Sequence, residues 1–147
     1  MIRKKNNLKI REKVSLFGFP KQYEPILLKA AKNTLSSCGN VELGSINIIF
    51  VTDRDIKALN KKYRNVDRIT DIISFLINPA VFSGDIYIAK ERSRKQAGQY
   101  GHSWQAELSY LVIHGILHLF GYTDYTPGEK RKMFKKQDSL FKAIKQC

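Results

Sequence analysis

Residues 103–124 read SWQAELSYLVIHGILHLFGYTD, and their pattern sets the architecture. From Leu111 to Phe120 apolar residues occupy nearly every direction of a 3.6-residue period, which predicts a helix buried all round with the rest of the chain wrapped about it. Ser103 is a good N-cap for this helix, expected over Trp104 to Phe120, and Gly121 can supply its left-handed stop. The helix is not a membrane span. Ser109, Tyr110, His114 and His118 interrupt the stretch from Leu108 to Phe120, whereas a span needs about 20 apolar residues in a row.

Before it, Leu8, Ile10, Val14 and Leu16 roughly alternate with polar residues and predict a first strand ending near Gly18 and Pro20. Ile26, Leu27, Ala30, Ala31 and Leu35 recur at helical spacing between Glu24 and Leu35, and Ser36, Ser37, Gly39 and Asn40 break the pattern. Ile46 to Val51, INIIFV, reads as an interior strand buried on both faces. Thr52 and Asp55 resemble a capping box for a short helix through Ile56, Leu59 and Tyr63. Thr70 to Ile77 and Asp85 to Ala89 read as two more strands, a candidate hairpin with its turn at Ser83-Gly84. Lys90 to Tyr100 is polar and basic, hence a solvated helix. A last helix begins with Thr126, Pro127 and Glu129 at its cap, first and third positions, with Met133, Phe134, Leu140, Phe141 and Ile144 as its apolar side. This order predicts an α+β fold: one domain over residues 1–147, a small mixed β-sheet of about four strands, and covering helices around the central one.

Composition narrows the partners. The chain has 147 residues, and 26 Lys+Arg against 13 Asp+Glu give a formal net charge of +13. Such a surplus creates a long-range field that attracts polyanions, nucleic acid first among them. The basic residues cluster at Arg3–Lys5, Lys61–Arg64, Lys90–Lys95 and Lys130–Lys136, a pattern suited to phosphates and blind to base sequence. Cys38 and Cys147 lie far apart with no CxxC, so a reduced, cytoplasmic chain is expected, with Cys38 buried and Cys147 in a free tail. The N-terminal MIRKKNNLKIREKV has no apolar segment after its charges, so no secretory signal and no membrane partner are expected.

The chemistry sits at the end of the central helix, in the pattern H-x3-H-x2-G-x2-D. Side chains four apart share one helix face, so His114 and His118 point toward a common cation, and a turn at Gly121 brings Asp124 in as a third ligand. Burying two imidazoles in the most apolar helix also demands partners for four ring nitrogens, and a metal supplies two of them. Three N/O ligands leave a position for water or substrate, which is the plan of a catalytic zinc site. Zinc metalloproteases share this histidine spacing but place a glutamate after the first histidine as general base. Gly115 occupies that position here and cannot take a proton.

HGILHLFGYTD resembles the H-G-x-L-H-L-x-G-Y-D-H signature of the YbeY family of metal-dependent bacterial endoribonucleases implicated in ribosomal RNA maturation. Leu59-Asn60 with Tyr63-Arg64, then Thr70–Phe75 (TDIISF), Gly84-Asp85-Ile86, Gly101-His102-Ser103 and Glu107-Leu108 are similar to further blocks of that family in the same order. The resemblance implies a metal, most simply one Zn²⁺, on His114, His118 and Asp124, with aspartate where the family pattern has its third histidine and Thr123 where it has the preceding aspartate. It also implies a functional arginine at Arg64, whose guanidinium can fork two phosphate oxygens. The implied activity is single-strand-specific cleavage of RNA in ribosomal RNA maturation and ribosome quality control, with ribosomal RNA or the ribosome as partner. Either a water activated by the metal or the RNA 2′-hydroxyl would serve as nucleophile.

Around this site, His102 is a candidate for contact with substrate. Asp71, Ser74 and Asp85 read as structural hydrogen-bonders or partners of a ligand histidine. Phe75, Trp104, Tyr122 and Tyr125 are candidates for stacking on unpaired bases, with core packing the alternative for each. Two other functions fit parts of the pattern: a peptide-cleaving zinc hydrolase, disfavoured by Gly115, and a non-catalytic RNA- or ribosome-binding module with a structural metal.

Overall fold

A computed structural model describes residues 13–39 and 41–145. The chain runs β1 (Val14–Phe17), a 3-10 turn (Lys21–Tyr23), α1 (Glu24–Ser37), β2 (Leu43–Val51), α2 (Asp53–Arg64), β3 (Ile72–Asn78), β4 (Phe82–Ala89), α3 (Lys90–Gln99), α4 (Trp104–Leu119) and α5 (Pro127–Lys145). The four strands form one mixed sheet in the order β1-β2-β4-β3. β1 and β4 flank β2 in parallel, with Leu16 opposite Ile48 and Ile86 opposite Ile48 on the other side, while β3 returns antiparallel on β4. The α+β expectation holds. Leu8, Ile10, Arg3–Lys5 and Cys147 lie outside the described residues.

One sheet face carries the main core. Ile46, Ile48, Phe50, Ile86 and Ile88 alternate along β2 and β4 with residues of the opposite face, and all five are buried. Against them lies α4, whose Leu108, Val112, Ile113, Ile116 and Leu117 are fully buried, with α1 and α5 packed on its flanks. Burial of a side chain such as Leu or Ile contributes about 1.5–3 kcal/mol, so this interface fixes the position of α4. The other face carries α2, packed over Ile73 and Ala89 at one end. β2 is therefore buried on one face and half-buried on the other, not buried on both as its composition suggested. β-branching alone does not distinguish a covered face from an open one.

The β3–β4 hairpin forms, but its turn lies at residues 79–81, where Asn78 Oδ1 accepts the N–H groups of Ala80 and Val81 at 2.9 and 3.2 Å. Ser83 and Gly84 lie inside β4. Gly84 serves packing there: a Cβ would stand 2.9 Å from both Leu119 methyls. The caps follow expectation, with Ser103 Oγ accepting from the Ala106 N–H at 3.1 Å and Thr52 Oγ1 from the Asp55 N–H at 3.1 Å. α3 is less solvated than its composition implied, because Ser93 and Ala97 are buried. Cys38 is half-buried, not fully buried as expected, and burial pushes its thiol pKa up. Among the described residues, no helix is long and apolar enough to cross a membrane.

Candidate metal centre

α4 ends in a motif that builds the site. The Tyr122 N–H bonds the Leu117 carbonyl at 3.1 Å and the Gly121 N–H bonds the His118 carbonyl at 3.0 Å, with Gly121 at φ +90°. These are the two hydrogen bonds of a Schellman stop, and the left-handed residue between them is the one a side chain would strain. The chain thereby turns back over the last helical turn. It brings the Tyr122 carbonyl to 2.9 Å from His118 Nδ1 and Asp124 beside both histidines. Ligand atoms of His114, His118 and Asp124 all lie within 4.8 Å of one another. The histidines are half-buried and Asp124 is exposed, so the group opens toward solvent on the carboxylate side.

The proton positions decide what this cluster can hold. A carbonyl only accepts, so His118 Nδ1 carries the hydrogen and donates to Tyr122 O. Gln137, fully buried, donates from Nε2 to the Tyr110 carbonyl at 3.3 Å, which turns its Oε1 toward His114 Nδ1 at 3.1 Å. His114 Nδ1 therefore donates too. The two Nε2 atoms are the nitrogens left for a ligand, and they face each other at 2.8 Å. Two lone pairs at that distance repel unless a proton or a cation stands between them. Burial first, and then the neighbouring His114, hold His118 below the usual histidine pKa range, with the Arg64 charge adding to the effect, so the ring is neutral at pH 7. Neutral imidazoles, each oriented by a hydrogen bond from the second nitrogen, are the donors a transition metal takes. The residues fit a cation such as Zn²⁺.

Gln137 was not singled out from the sequence. Its signal was a polar residue on the buried stripe Met133, Gln137, Leu140, Ile144 of α5. Gly115, by contrast, is explained by packing: a Cβ there would stand 2.8 Å from Ile86 Cγ2 and 2.9 Å from Ile72 Cδ1. The position faces the sheet, so a glutamate would have no room in it. Ser74 Oγ donates to the Gly115 carbonyl at 3.0 Å, tying β3 to the helix between the two histidines.

The remaining candidates separate. Arg64 is the last residue of α2, exposed, and close enough for its charge to act on His118. Asn65, at φ 57°, turns the chain immediately after it. Tyr125 is 86% exposed beside Asp124 and is open for stacking, whereas Tyr122 is half-buried against the core. Trp104 is structural, its indole N–H bonding Ser93 Oγ at 3.0 Å and its ring packing on Phe50. Phe75 stacks edge-on between Tyr63 and Tyr87 on the open sheet face. His102 bonds Glu107 at the far end of α4, and at about 1.5 Å rise per residue it stands well away from His114. Asp71 accepts from Gln96 and Asp85 from Asn47, and neither is bonded to His114 or His118.

Residues 6–145 match the family model described as endoribonuclease YbeY. The chain belongs to the endoribonuclease YbeY family. The Endoribonuclease YbeY of Endomicrobium trichonymphae is 50% identical over 143 residues, 97% of each chain. That of Pelotomaculum thermopropionicum is 37% identical over 122 residues, 77% of this chain and 80% of the relative. A solution structure of a Thermotoga maritima protein superposes with a TM-score of 0.63 at 28% identity, covering 89% of this chain and 88% of that one. The YbeY resemblance read from the ordered sequence blocks therefore holds, and the sheet-and-helix arrangement agrees with that solved structure.

Proposed function

We propose that the protein is a metal-dependent endoribonuclease for single-stranded RNA, acting in the cytoplasm on ribosomal RNA during its maturation and in ribosome quality control. Membership of the family makes it a hydrolytic nuclease with RNA as its partner. His114, His118 and Asp124 hold one divalent cation, most simply Zn²⁺, and Arg64 holds the phosphate to be cleaved. The observation that carries the reading is the pair of Nε2 atoms 2.8 Å apart, with each ring's Nδ1 turned to an acceptor, Gln137 Oε1 for His114 and the Tyr122 carbonyl for His118. A bound cation supplies Lewis acidity toward a phosphate oxygen and lowers the pKa of water. The chain's own residues do the rest. Arg64, exposed beside the site, engages the non-bridging oxygens and stabilises charge that develops on them. Tyr125 offers a stacking face to an unpaired base.

A peptide-cleaving reading lacks its base, since position 115 is packed against Ile86 and Ile72. The test is elemental analysis of untagged protein, wild type against Asp124→Ala, followed by cleavage of single-stranded and duplex RNA with and without the metal found. About one transition metal per wild-type chain, weakened in the variant, with metal-dependent cutting of single strands, is the expected result. A metal-free wild type after incubation with zinc would move the reading to a non-catalytic binding module.

A further inference from the structure

α2, residues 66–70 and Arg92 of α3 line an open cavity of about 650 Å³, whose lining includes Lys57, Arg64, Asp67 and Arg68. The one carboxylate named there, Asp67, lies 4.0 Å from Lys57. Among the described residues the three guanidiniums have no ion-pair partner within 4.0 Å. A concave wall with unpaired cations of one sign focuses the field on an anion.

The cavity is built rather than fortuitous, because its walls are tied together. Buried Asn60 donates from Nδ2 to the Arg68 carbonyl at 3.0 Å, folding the segment after α2 back over the helix. Asp53 and Glu91 cap each other's helices: the Asp53 N–H bonds Glu91 Oε2 and the Arg92 N–H bonds Asp53 Oδ1, both at 2.9 Å. Gln96 accepts from Arg92 Nε at 3.4 Å and donates to Asp71 Oδ2 at 3.1 Å, so the Arg92 side chain is steered from the α3 side. Arg64, which the functional reading places on the phosphate to be cleaved, also lines the cavity.

We propose that this cavity is a second phosphate subsite, in which Arg68 and Arg92 hold a phosphodiester of the RNA strand flanking the one cleaved, with Arg64 between the two. The inference rests on the RNA-cleaving reading and adds a strand path, from the histidines past Arg64 toward α3. Each phosphate neutralised on a single strand contributes about 0.7 to the slope of log affinity against log salt.

The experiment measures affinity of a 2′-O-methyl single-stranded decanucleotide, which cannot use its 2′-oxygen, across a salt series for wild type, Arg68→Gln/Arg92→Gln, Arg68→Lys/Arg92→Lys and a control lacking two exposed lysines elsewhere, Lys21→Gln/Lys142→Gln. The double glutamine variant is expected to bind more weakly and to lose about 1.4 from the slope. The lysine variant keeps the slope, and the control changes it by less than half as much. Equal slopes in wild type and the glutamine variant, both folded by thermal melt and loaded with metal, overturn the subsite while leaving the cleavage reading intact. A wild type that cleaves no RNA overturns that reading itself. Inorganic phosphate that binds wild type but not the glutamine variant, with RNA affinity equal in both, assigns the cavity to a free anion and overturns the subsite as well.

Discussion

Replacing Gln137 with methionine tests the tautomer argument at its centre. Methionine has similar volume and no acceptor, so the buried space stays filled while His114 Nδ1 loses its partner at 3.1 Å. A buried donor left unsatisfied costs about 1–3 kcal/mol. The ring escapes that cost by moving its proton to Nε2, which then donates to His118 Nε2 at 2.8 Å. The metal-free variant is thus nearly as stable as wild type, within about 1.5 kcal/mol for a volume-conserving core exchange. A cation must now displace the new hydrogen bond and reverse the tautomer. Loss of an outer partner of this kind typically costs 10–100-fold in metal affinity, which is about 1.4–2.7 kcal/mol. Competition against a chromophoric chelator at pH 7 reads the affinity, and thermal melts in EDTA read the metal-free stability. Unchanged zinc affinity in a folded Gln137→Met protein would refute the reasoning.

Further outcomes follow from the same geometry. Gly115→Ala brings a methyl to within 3 Å of Ile86 and Ile72; overpacking of about 1–3 kcal/mol outweighs a helix-propensity gain of up to about 1 kcal/mol, so a lower melting temperature with weakened metal binding is expected, and a stabilised variant would contradict the close packing. Burial pushes Glu107 above the usual carboxylate range, with His102 only partly opposing it. A raised carboxylate pKa means that stability is present at acid pH and lost as pH rises through the folded value; Glu107→Gln should therefore melt higher than wild type at pH 7, with the difference closing toward about pH 4.3. His118 has the opposite sign: its pKa is depressed, so native stability and metal binding both fall as pH drops from about 6.5, visible as metal release in a pH titration. Hydrolysis by water leaves no 2′,3′-cyclic phosphate; finding that product by mass spectrometry would assign the nucleophile to the RNA's own 2′-hydroxyl.

Local signals carried much of the fold. The caps at Ser103 and Thr52, the stop at Gly121 and the helical spacing of α1, α4 and α5 depend on interactions within a few residues, and these stand where the sequence placed them. The hairpin turn was displaced by a few residues because Ser83-Gly84 looks like a turn locally, while Gly84 is a glycine for the sake of Leu119, which is distant in sequence. The covering of β2 was misjudged for a similar reason: which face a helix lies on is a property of the whole assembly.

The same division runs through the site. His114 and His118 share a face because four residues make about one helical turn, and the ordered motifs around them carry the resemblance to the YbeY family. Sequence could not orient the rings, since that depends on Gln137, 23 residues after His114, and on a backbone carbonyl released by the Schellman turn. It could not explain Gly115 beyond the missing base, because the reason is contact with Ile86 and Ile72 on the sheet. Nor could it join Arg64 to Arg68 and Arg92, whose approach requires α2 and α3 to be tied at the adjoining ends of β2 and β4 through Asp53 and Glu91. Spacing along one helix is covalent geometry and is written in the sequence; proximity between elements is set by packing and exists only in the folded chain.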